Sequence, residues 1–353
     1  MARGVLKAVL LRGGSRGTLA AEVANVPVPT VGPGELLVNM RACGLCGTDI
    51  EKMRGEYSAA MPVLGHEAVG VISHVGEGVK GYLVGDRVFP HHHVPCHSCY
   101  FCQKGDETSC DGYKSSNLDP GGFAEAIRVP EWNVRGGGVL NLPPGIGFEV
   151  ASLVEPLACC VRAIDACGVT RGDSVLVVGA GPVGAMHAML LRYLGAEVFI
   201  SDISKARLLF AESQSLGTVI EANRSDVPTK VRNQTDGRGA DLAIVASGSP
   251  IAVTQALKSV RKGGKVCLFG IPVEGSILDY DLSKLYSASI SVFPSYGAVE
   301  KDVQKASGII SDHKAELGAL ITHRLPLTGF QKGVDLMLRG EGMKVVIVSD
   351  SHA

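Results

Sequence analysis

Residues 172–202 read GDSVLVVGAGPVGAMHAMLLRYLGAEVFISD, and this stretch decides the fold of the second half of the chain. An apolar strand leads into a glycine-rich turn, a long apolar helix follows, and a second apolar strand ends the stretch. Strands that are apolar throughout are typical of parallel sheets with helices on both faces. Further strand and helix patterns follow in ADLAIVAS, IAVTQALKSV and GKVCLFGI. The alternation predicts a doubly wound α/β domain at about residues 157–292.

The glycine turn has the spacing G-x-G-x-x-G, formed by Gly179, Gly181 and Gly184 directly between the strand and the helix. In this context the first glycine permits a sharp turn, the second lets a pyrophosphate approach the backbone, and the third lets the helix pack on the strand. The helix N-terminus adds N–H donors and the positive end of its dipole. The motif therefore predicts a dinucleotide-binding site.

The second strand ends at Asp202, where a carboxylate can accept hydrogen bonds from the ribose hydroxyls and repel a 2′-phosphate. Asp202 therefore favours NAD over NADP, whereas Arg207 could reach a 2′-phosphate or stack on adenine. An alternative reading makes Asp202 the N-cap of the following helix.

The first part of the chain has a different texture. From Lys7 to about Val150, short apolar runs are broken by glycine and proline, which predicts an irregular, barrel-like β-rich unit. A length of 353 residues agrees with two domains. The net charge of -1 and few aromatic residues argue against nucleic acid as a partner. The N-terminal apolar run is too short for a signal peptide and no segment suits a membrane, so a cytoplasmic protein is expected.

Cysteines are concentrated in PCHSCYFCQKGDETSC, where Cys96, Cys99, Cys102 and Cys110 have the spacing C-x2-C-x2-C-x7-C. Four thiolates this close can surround one zinc ion and leave no position for substrate. An iron–sulfur cluster is the rival, but bacterial ferredoxin runs place the next cysteine after three residues. Disulfides are disfavoured in a reducing compartment. The cluster predicts a structural zinc site.

A second set of metal ligands is spread along the chain. CGLCGTD contains Cys46, and VLGHEAVG contains His66 followed by Glu67. A thiolate, an imidazole and a carboxylate can hold zinc with one position open, where an alcohol oxygen would be polarised and its pKa lowered. Each residue alone has an ordinary structural explanation, as a core cysteine or part of a turn.

These motifs, together with VEPLACC, resemble the zinc-containing medium-chain dehydrogenase/reductase family, near its sorbitol (polyol) and threonine dehydrogenase branch. The resemblance covers nearly the whole chain. It implies a GroES-like catalytic domain at residues 1–156 with a structural zinc lobe at about 93–113. A Rossmann domain at 157–292 would follow, with residues 293–353 returning to the catalytic domain.

The resemblance also implies roles for individual residues. Cys46 and His66 would bind the catalytic zinc directly, and one or both of Glu67 and Glu155 would coordinate according to whether water or substrate is present. Thr48 would take the substrate proton, although a threonine can also cap a turn. Further positions match nucleotide contacts, namely Val183, Asp202, Arg207, Phe269, Gly270 and Ile271.

Some positions depart from the family pattern. Glu51 stands where many relatives carry a proton-relaying histidine, so a different pH dependence is expected. His93, last of three adjacent histidines, resembles a substrate-pocket residue of threonine dehydrogenases, but the three could also lie at a subunit contact or bind a stray metal. Gly47 replaces an arginine of classical alcohol dehydrogenases, and Cys43 matches no ligand and is taken as structural.

The expected activity is reversible, NAD-dependent oxidation of a secondary alcohol in a polyol, sugar or related hydroxy compound, with one catalytic and one structural zinc per chain. L-threonine 3-dehydrogenase is the alternative enzyme. Family members without catalytic zinc, which act as enone or quinone reductases or as non-enzymatic proteins, form a third possibility. A homodimer or homotetramer is expected, with apolar edge-strand residues in KVCLFGIPVEGSI able to support pairing.

Overall fold

The computed structural model describes residues 4–11, 21–55 and 64–349. The chain divides into two compact units, Met1–Ala158 with Ala298–Ala353, and Cys159–Gly297. The domain boundaries suggested by the sequence, after residues 156 and 292, fall inside a helix and a strand of this structure. These domain boundaries stay a prediction.

Fifteen strands are formed in the described part of the chain. They are β1 (Val5–Leu11), β2 (Ala21–Pro27), β3 (Leu36–Gly44), β4 (Glu67–Val75), β5 (Arg87–Pro90), β6 (Ala126–Val129), β7 (Val139–Asn141), β8 (Ser174–Val178), β9 (Glu197–Asp202), β10 (Thr218–Glu221), β11 (Ala240–Val245), β12 (Val260–Leu268), β13 (Ser291–Pro294), β14 (Ile321–Pro326) and β15 (Lys344–Val348).

The described residues also form thirteen α-helices and two short 3₁₀ turns, at Glu107–Ser109 and Leu327–Gly329. The helices are α1 (Gly47–Met53), α2 (Tyr100–Lys104), α3 (Asp111–Ser115), α4 (Glu131–Arg135), α5 (Phe148–Ala151), α6 (Val154–Cys167), α7 (Pro182–Tyr193), α8 (Lys205–Ser213), α9 (Val227–Asn233), α10 (Pro250–Ser259), α11 (Leu282–Ser287), α12 (Glu300–Gly318) and α13 (Phe330–Leu338). None of the helices in the described ranges is both long and apolar enough to cross a membrane.

The second unit is built on a parallel sheet with strand order β10-β9-β8-β11-β12-β13. Its central strand β8 is buried along its whole length, as the apolar run SVLVV predicts. The order reverses direction beside β8, which is the topology of a doubly wound dinucleotide-binding fold. The Rossmann-type fold predicted from the sequence is confirmed.

The first unit contains a mixed sheet with the order β14-β15-β3-β4-β5-β7, and β6 pairs with β3. Its core is apolar and includes the edge-to-face pair Phe123 and Phe330, whose ring centroids lie 5.1 Å apart. The GroES-like fold predicted for this part of the chain is also confirmed.

Strand β3 brings distant parts of the first unit together at its carboxyl end. Gly44 is paired with Glu67 of β4 on one side and with Val346 of β15 on the other. A Cβ atom at position 44 would lie 1.8 Å from Oε2 of Glu67 and 2.8 Å from Cε of Lys344. Glycine is therefore required here so that two charged side chains can meet beside it.

Candidate active site

Cys46 lies at the start of helix α1, two residues after β3 ends. Its backbone N–H donates to Oδ2 of Asp49 at 3.1 Å, and the N–H of Gly65 donates to Oδ1 of the same carboxylate at 2.9 Å. Asp49 is fully buried. One carboxylate thus ties the turn that carries Cys46 to the turn that carries His66.

His66 is buried, and its Nδ1 faces Oδ1 of Asp49 at 3.5 Å. Burial opposes a charge on the ring, yet Asp49 and Cys46 together hold the pKa of His66 well above its usual value. A carboxylate beside Nδ1 favours a proton on that nitrogen and leaves Nε2 for a metal. Gly65 allows this turn, because it has a φ of +78° and a Cβ there would lie 2.6 Å from the backbone nitrogen of Phe123.

Glu67 forms a buried ion pair with Lys344. The lysine Nζ lies 2.6 Å from Oε1 and 2.5 Å from Oε2, and the two side chains are 0% and 4% exposed. Burial raises the pKa of Glu67, and nearby Glu155 adds to this effect while Lys344 opposes it. The glutamate beside His66 is therefore held by a cation from the last strand of the chain.

The donor atoms of Cys46, His66 and Glu67 all lie within 4.8 Å of one another. Glu155, the fourth ligand suggested by the sequence, is buried and close enough to influence the pKa of Glu67, but it is not part of this group of mutually close atoms. Thiolate, imidazole and carboxylate are the donor types that zinc prefers. Donor chemistry and geometry therefore fit a zinc ion bound between these side chains.

Two polar residues of α1 accompany the donor group. The hydroxyl of Thr48 lies 3.6 Å from Sγ of Cys46, and its side chain is half-buried. Glu51 follows one turn later on the same helix and is also half-buried. Residues three apart share a helix face, so Thr48 and Glu51 are neighbours on α1.

The three adjacent histidine rings pack against one another, with centroids 5.4 Å apart for His91 and His92 and 4.1 Å apart for His92 and His93, but each ring has different further neighbours. The ring of His92 lies 5.1 Å from that of His66, while His91 faces Glu300 at 3.8 Å. Nδ1 of His93 lies 2.7 Å from the carbonyl oxygen of Ser116, which can only accept, so Nδ1 carries the proton. Burial lowers the pKa of His93 to about 3, so its ring is neutral and Nε2 is an acceptor.

The sulfur atoms of the four clustered cysteines also lie within 4.8 Å of one another. Sγ of Cys102 is 3.9 Å from that of Cys96 and 3.6 Å from that of Cys99. Zinc–sulfur bonds of about 2.3 Å give a tetrahedron with edges of about 3.8 Å, whereas a disulfide needs about 2.05 Å. The spacing fits one zinc ion held by four thiolates.

Local hydrogen bonds favour a thiolate at Cys96 in this lobe. The backbone N–H of Cys99 donates to Sγ of Cys96 at 3.2 Å, and the N–H of Cys96 donates to Sγ of Cys110 at 3.4 Å. Donation from the hydroxyl and backbone of Ser98 and from Cys99 lowers the pKa of Cys96 to about 5. Several thiolates at these separations repel one another unless a cation lies between them.

The predicted dinucleotide motif lies where β8 meets α7. Gly179 has a φ of +107°, and a Cβ at Gly184 would lie only 1.8 Å from the carbonyl oxygen of Gly179. Gly181 is the N-cap of α7, and Val183 lies in its first turn. The three glycines are therefore arranged as a dinucleotide turn requires.

Asp202 lies at the end of β9 and is already engaged. Its carboxylate accepts from the N–H groups of Ala180 and Ser204, both at 2.7 Å. Ser204, and not Asp202, is the N-cap of α8. The guanidinium of Arg207 lies 3.7 Å from Asp202, and its buried Nε has no hydrogen-bond partner. This orphaned donor beside the glycine turn fits an anionic coenzyme.

The segment Phe269–Ile271 follows β12 at the same edge of the sheet. A Cβ at Gly270 would lie 2.4 Å from the backbone of Ser247, so the segment packs tightly on the end of β11. The Phe269 ring meets His187 of α7 edge to face at 4.5 Å. The predicted nucleotide-contacting residues thus share the carboxyl edge of the sheet.

Two family models match the chain. The model described as "Alcohol dehydrogenase GroES-like domain" matches residues 32–144, and "Zinc-binding dehydrogenase" matches residues 182–312. The L-threonine 3-dehydrogenase of Caldanaerobacter subterraneus subsp. tengcongensis is 33% identical over 336 residues, which are 93% of this chain and 95% of the relative. The chain belongs to the zinc-containing medium-chain dehydrogenase family. It is accordingly a zinc-dependent oxidoreductase of the alcohol dehydrogenase type.

Other members of the medium-chain dehydrogenase family are similar along their whole length. The sorbitol dehydrogenase of Halalkalibacterium halodurans is 31% identical, with 94% of this chain and 96% of the relative covered. A zinc-binding dehydrogenase of Sinorhizobium meliloti bound to NADP has a TM-score of 0.85 and 26% identity, with 98% and 99% of the two chains covered. The NADP-bound structure and the zinc-binding dehydrogenase family model support a nicotinamide coenzyme and zinc.

Two site residues were missed by the sequence interpretation, namely Asp49 and Lys344. The signal for Asp49 was its place three residues after Cys46, the spacing of a capping box. Lys344 gave no local signal, because it lies 277 residues from Glu67 and reaches it only through strand pairing.

Proposed function

We propose that this dehydrogenase catalyses the reversible oxidation of a secondary alcohol, in a polyol, sugar or related hydroxy compound, to a ketone. The observation that carries the proposal is the convergence of Cys46, His66 and Glu67 within 4.8 Å beside the hydroxyl of Thr48. This mixed donor set is typical of catalytic rather than structural zinc.

In this proposal Cys46 and His66 would hold the zinc directly, and one or both of Glu67 and Glu155 would coordinate it according to whether water or substrate is present. Zinc bound there would supply Lewis acidity toward the substrate oxygen. Asp49 keeps the His66 ring oriented, and Lys344 keeps Glu67 in place. Thr48 accepts the substrate proton, and Glu51, one turn along α1, passes it toward solvent.

The coenzyme is proposed to lie along the carboxyl edge of the parallel sheet, on the glycine turn and the Phe269–Ile271 segment. The nicotinamide ring would accept the hydride. NAD is proposed over NADP, because a 2′-phosphate would meet the carboxylate of Asp202. The guanidinium of Arg207 could reach a 2′-phosphate and so opposes this preference. Measuring kcat/KM with NAD and with NADP, in the wild type and in Arg207→Ala, tests the proposed coenzyme preference.

L-threonine is the second candidate substrate, favoured by the 33% identity to a relative named for that activity. Nε2 of His93 is an acceptor in the neutral ring, so it could receive a hydrogen bond from either a hydroxyl or an ammonium group. A panel of sorbitol, xylitol, simple sugars and L-threonine with NAD and NADP discriminates the two. Turnover of threonine alone would overturn the polyol proposal.

Zinc content separates this mechanism from a zinc-poor reductase. We propose two zinc ions per chain, one at Cys46 and one in the four-cysteine lobe. The Cys46→Ala variant should retain one zinc ion, the one in the four-cysteine lobe. A single ion in the wild type that survives this change would place all the zinc in the lobe and contradict the mechanism.

Assembly as a homodimer or homotetramer is proposed from the edge of the parallel sheet. Strand β13 is the last in the sheet order, and nearby apolar side chains are exposed, including Ile277, Leu282 and Tyr286. Exposed apolar edges are sites of association. Light scattering with a Leu282→Glu variant tests this proposal. A cytoplasmic location stays a prediction from the sequence.

A further inference from the structure

A cavity of about 390 Å³ opens in the second unit, away from the predicted coenzyme contacts. Its volume is in the range of small-molecule sites, about 300–1,000 Å³. Buried apolar side chains, including Leu257, Val260 and Ile290, contribute to its lining. Its cationic side chains are Arg232, Arg238, Lys258, Lys262 and Lys284.

Carboxylates interact with four of the five cations only at longer range: Asp226 with Arg232 and Lys258, Asp241 with Arg238, and Asp281 with Lys284. Asp226 is the acidic residue that lines the cavity, and its carboxylate already accepts hydrogen bonds from Thr229 as the N-cap of α9. In the described part of the chain, none of the five cations forms an ion pair with a carboxylate. The lining of five cations and one carboxylate therefore carries an excess of positive charge.

Helix dipoles explain only part of this arrangement. Arg232, Lys258 and Lys284 lie in the last turns of α9, α10 and α11, where a cation meets unpaired carbonyl groups. Each helix end offsets at most about half a charge, so the cavity stays cationic. Arg238 precedes β11 and Lys262 lies in β12, so no helix end accounts for them.

The topology separates this cavity from the coenzyme site. Strands β8, β11 and β12 are parallel, and Ala240 at the start of β11 is paired with Val260 at the start of β12. Arg238 and Lys262 therefore lie at the amino edge of the sheet. Gly179 follows β8 at the opposite, carboxyl edge. An anion in the cavity would not be the pyrophosphate of the bound coenzyme.

We propose that this cavity is a second ligand site, which binds a small anion carrying two or more phosphate groups. Phosphate oxygens accept charge-assisted hydrogen bonds from both guanidinium and ammonium groups. Because the lining carries five cations and one carboxylate, a ligand with several negative charges matches it better than a monoanion. Tyr280, which also lines the cavity, supplies a hydroxyl or a ring face to the rest of such a molecule.

The test uses inorganic pyrophosphate, titrated calorimetrically into zinc-replete protein that is saturated with NAD, at constant ionic strength. One binding event per chain is expected, with a Tm that rises with pyrophosphate concentration. The Arg238→Gln/Lys262→Gln variant should bind at least about tenfold more weakly. Lys230→Gln is the matched control, because Lys230 is exposed on α9 but does not line the cavity. The affinity of this variant for pyrophosphate should differ from that of the wild type by less than about threefold.

Three results would overturn the proposal. Saturation with NAD could abolish the binding, which would place pyrophosphate at the glycine turn. The double variant could bind as tightly as the wild type. The heat of the titration could come from removal of zinc by pyrophosphate, which metal analysis of the same samples would detect. If the double variant does not fold, Lys284→Gln, an exposed change on α11, should weaken binding by itself, and unchanged affinity would refute the site.

Discussion

Replacing Lys344 with methionine is expected to destabilise the protein strongly, because the change leaves Glu67 without its cation. Both oxygens of Glu67 lie within 2.6 Å of the lysine Nζ, and neither side chain is more than 4% exposed. Burial already raises the pKa of Glu67 with Lys344 in place. Without the lysine, the buried carboxylate must stay charged beside Glu155 without its ion-pair partner or take up a proton.

Breaking a buried ion pair by removing one partner costs about 3–5 kcal/mol, and this is the expected loss for Lys344→Met. Glu67→Gln should cost a similar amount, since it leaves the ammonium group buried. The double variant should lose less than the sum of the two. The expected coupling energy is at least about 2 kcal/mol, because the pair is in direct contact.

The assay is urea unfolding of the four proteins in a double-mutant cycle, with zinc content measured on each. Arg324 and Glu149 provide the matched control, since Nε lies 2.5 Å from Oε2 but the side chains are 47% and 38% exposed. The coupling energy of this exposed pair should be below about 1 kcal/mol.

A coupling energy for Glu67 and Lys344 as small as that of the exposed pair would refute the reasoning. Burial would then not determine the strength of this interaction. An equal loss in both single variants and the double variant, by contrast, is the pattern of two residues that act as one unit.

Three further predictions follow from single positions. His187→Leu should make the free energy of unfolding less sensitive to acid, because burial lowers the pKa of His187 to about 3 in the folded protein. The same side chain takes up a proton below about pH 6.5 in the unfolded chain. In urea unfolding, the wild type should therefore lose roughly 2 kcal/mol more than the variant between about pH 7 and pH 5. Gly184→Ala should weaken NAD binding in fluorescence titration by at least about tenfold, because the new Cβ would lie 1.8 Å from the oxygen of Gly179; unchanged affinity would contradict the close approach. Asp49→Asn should weaken zinc binding about 10–100-fold in competition with a chelator, whereas zinc affinity equal to that of the wild type would mean that Asp49 does not orient His66.

The features that the sequence predicted well are those formed by residues close together in the chain. The glycine turn, the buried strand β8 and the four-cysteine lobe each depend on a segment of fewer than about 35 residues, so spacing alone constrains them. Cys46, His66 and Glu67 were expected together from their ligand chemistry and then from family resemblance, and the structure brings their donor atoms within 4.8 Å.

The functional detail of Asp202 was harder to anticipate. Its position at the end of β9 follows from the strand pattern, but its hydrogen bonds to Ala180 and Ser204 depend on how two loops approach each other. The orphaned Nε of Arg207 likewise depends on burial, which has no signature in the sequence. Coenzyme preference therefore depends on contacts that spacing does not define.

The sequence by itself determined the βαβ unit, the dinucleotide turn and the cysteine cluster, because local hydrophobic periodicity and short ligand spacings have few alternative structures. Only the tertiary structure decided that Lys344 neutralises Glu67, that Asp49 joins the Cys46 and His66 turns, and that five cations surround one cavity. Such contacts join residues far apart in the chain, and strand register and helix packing set their distances.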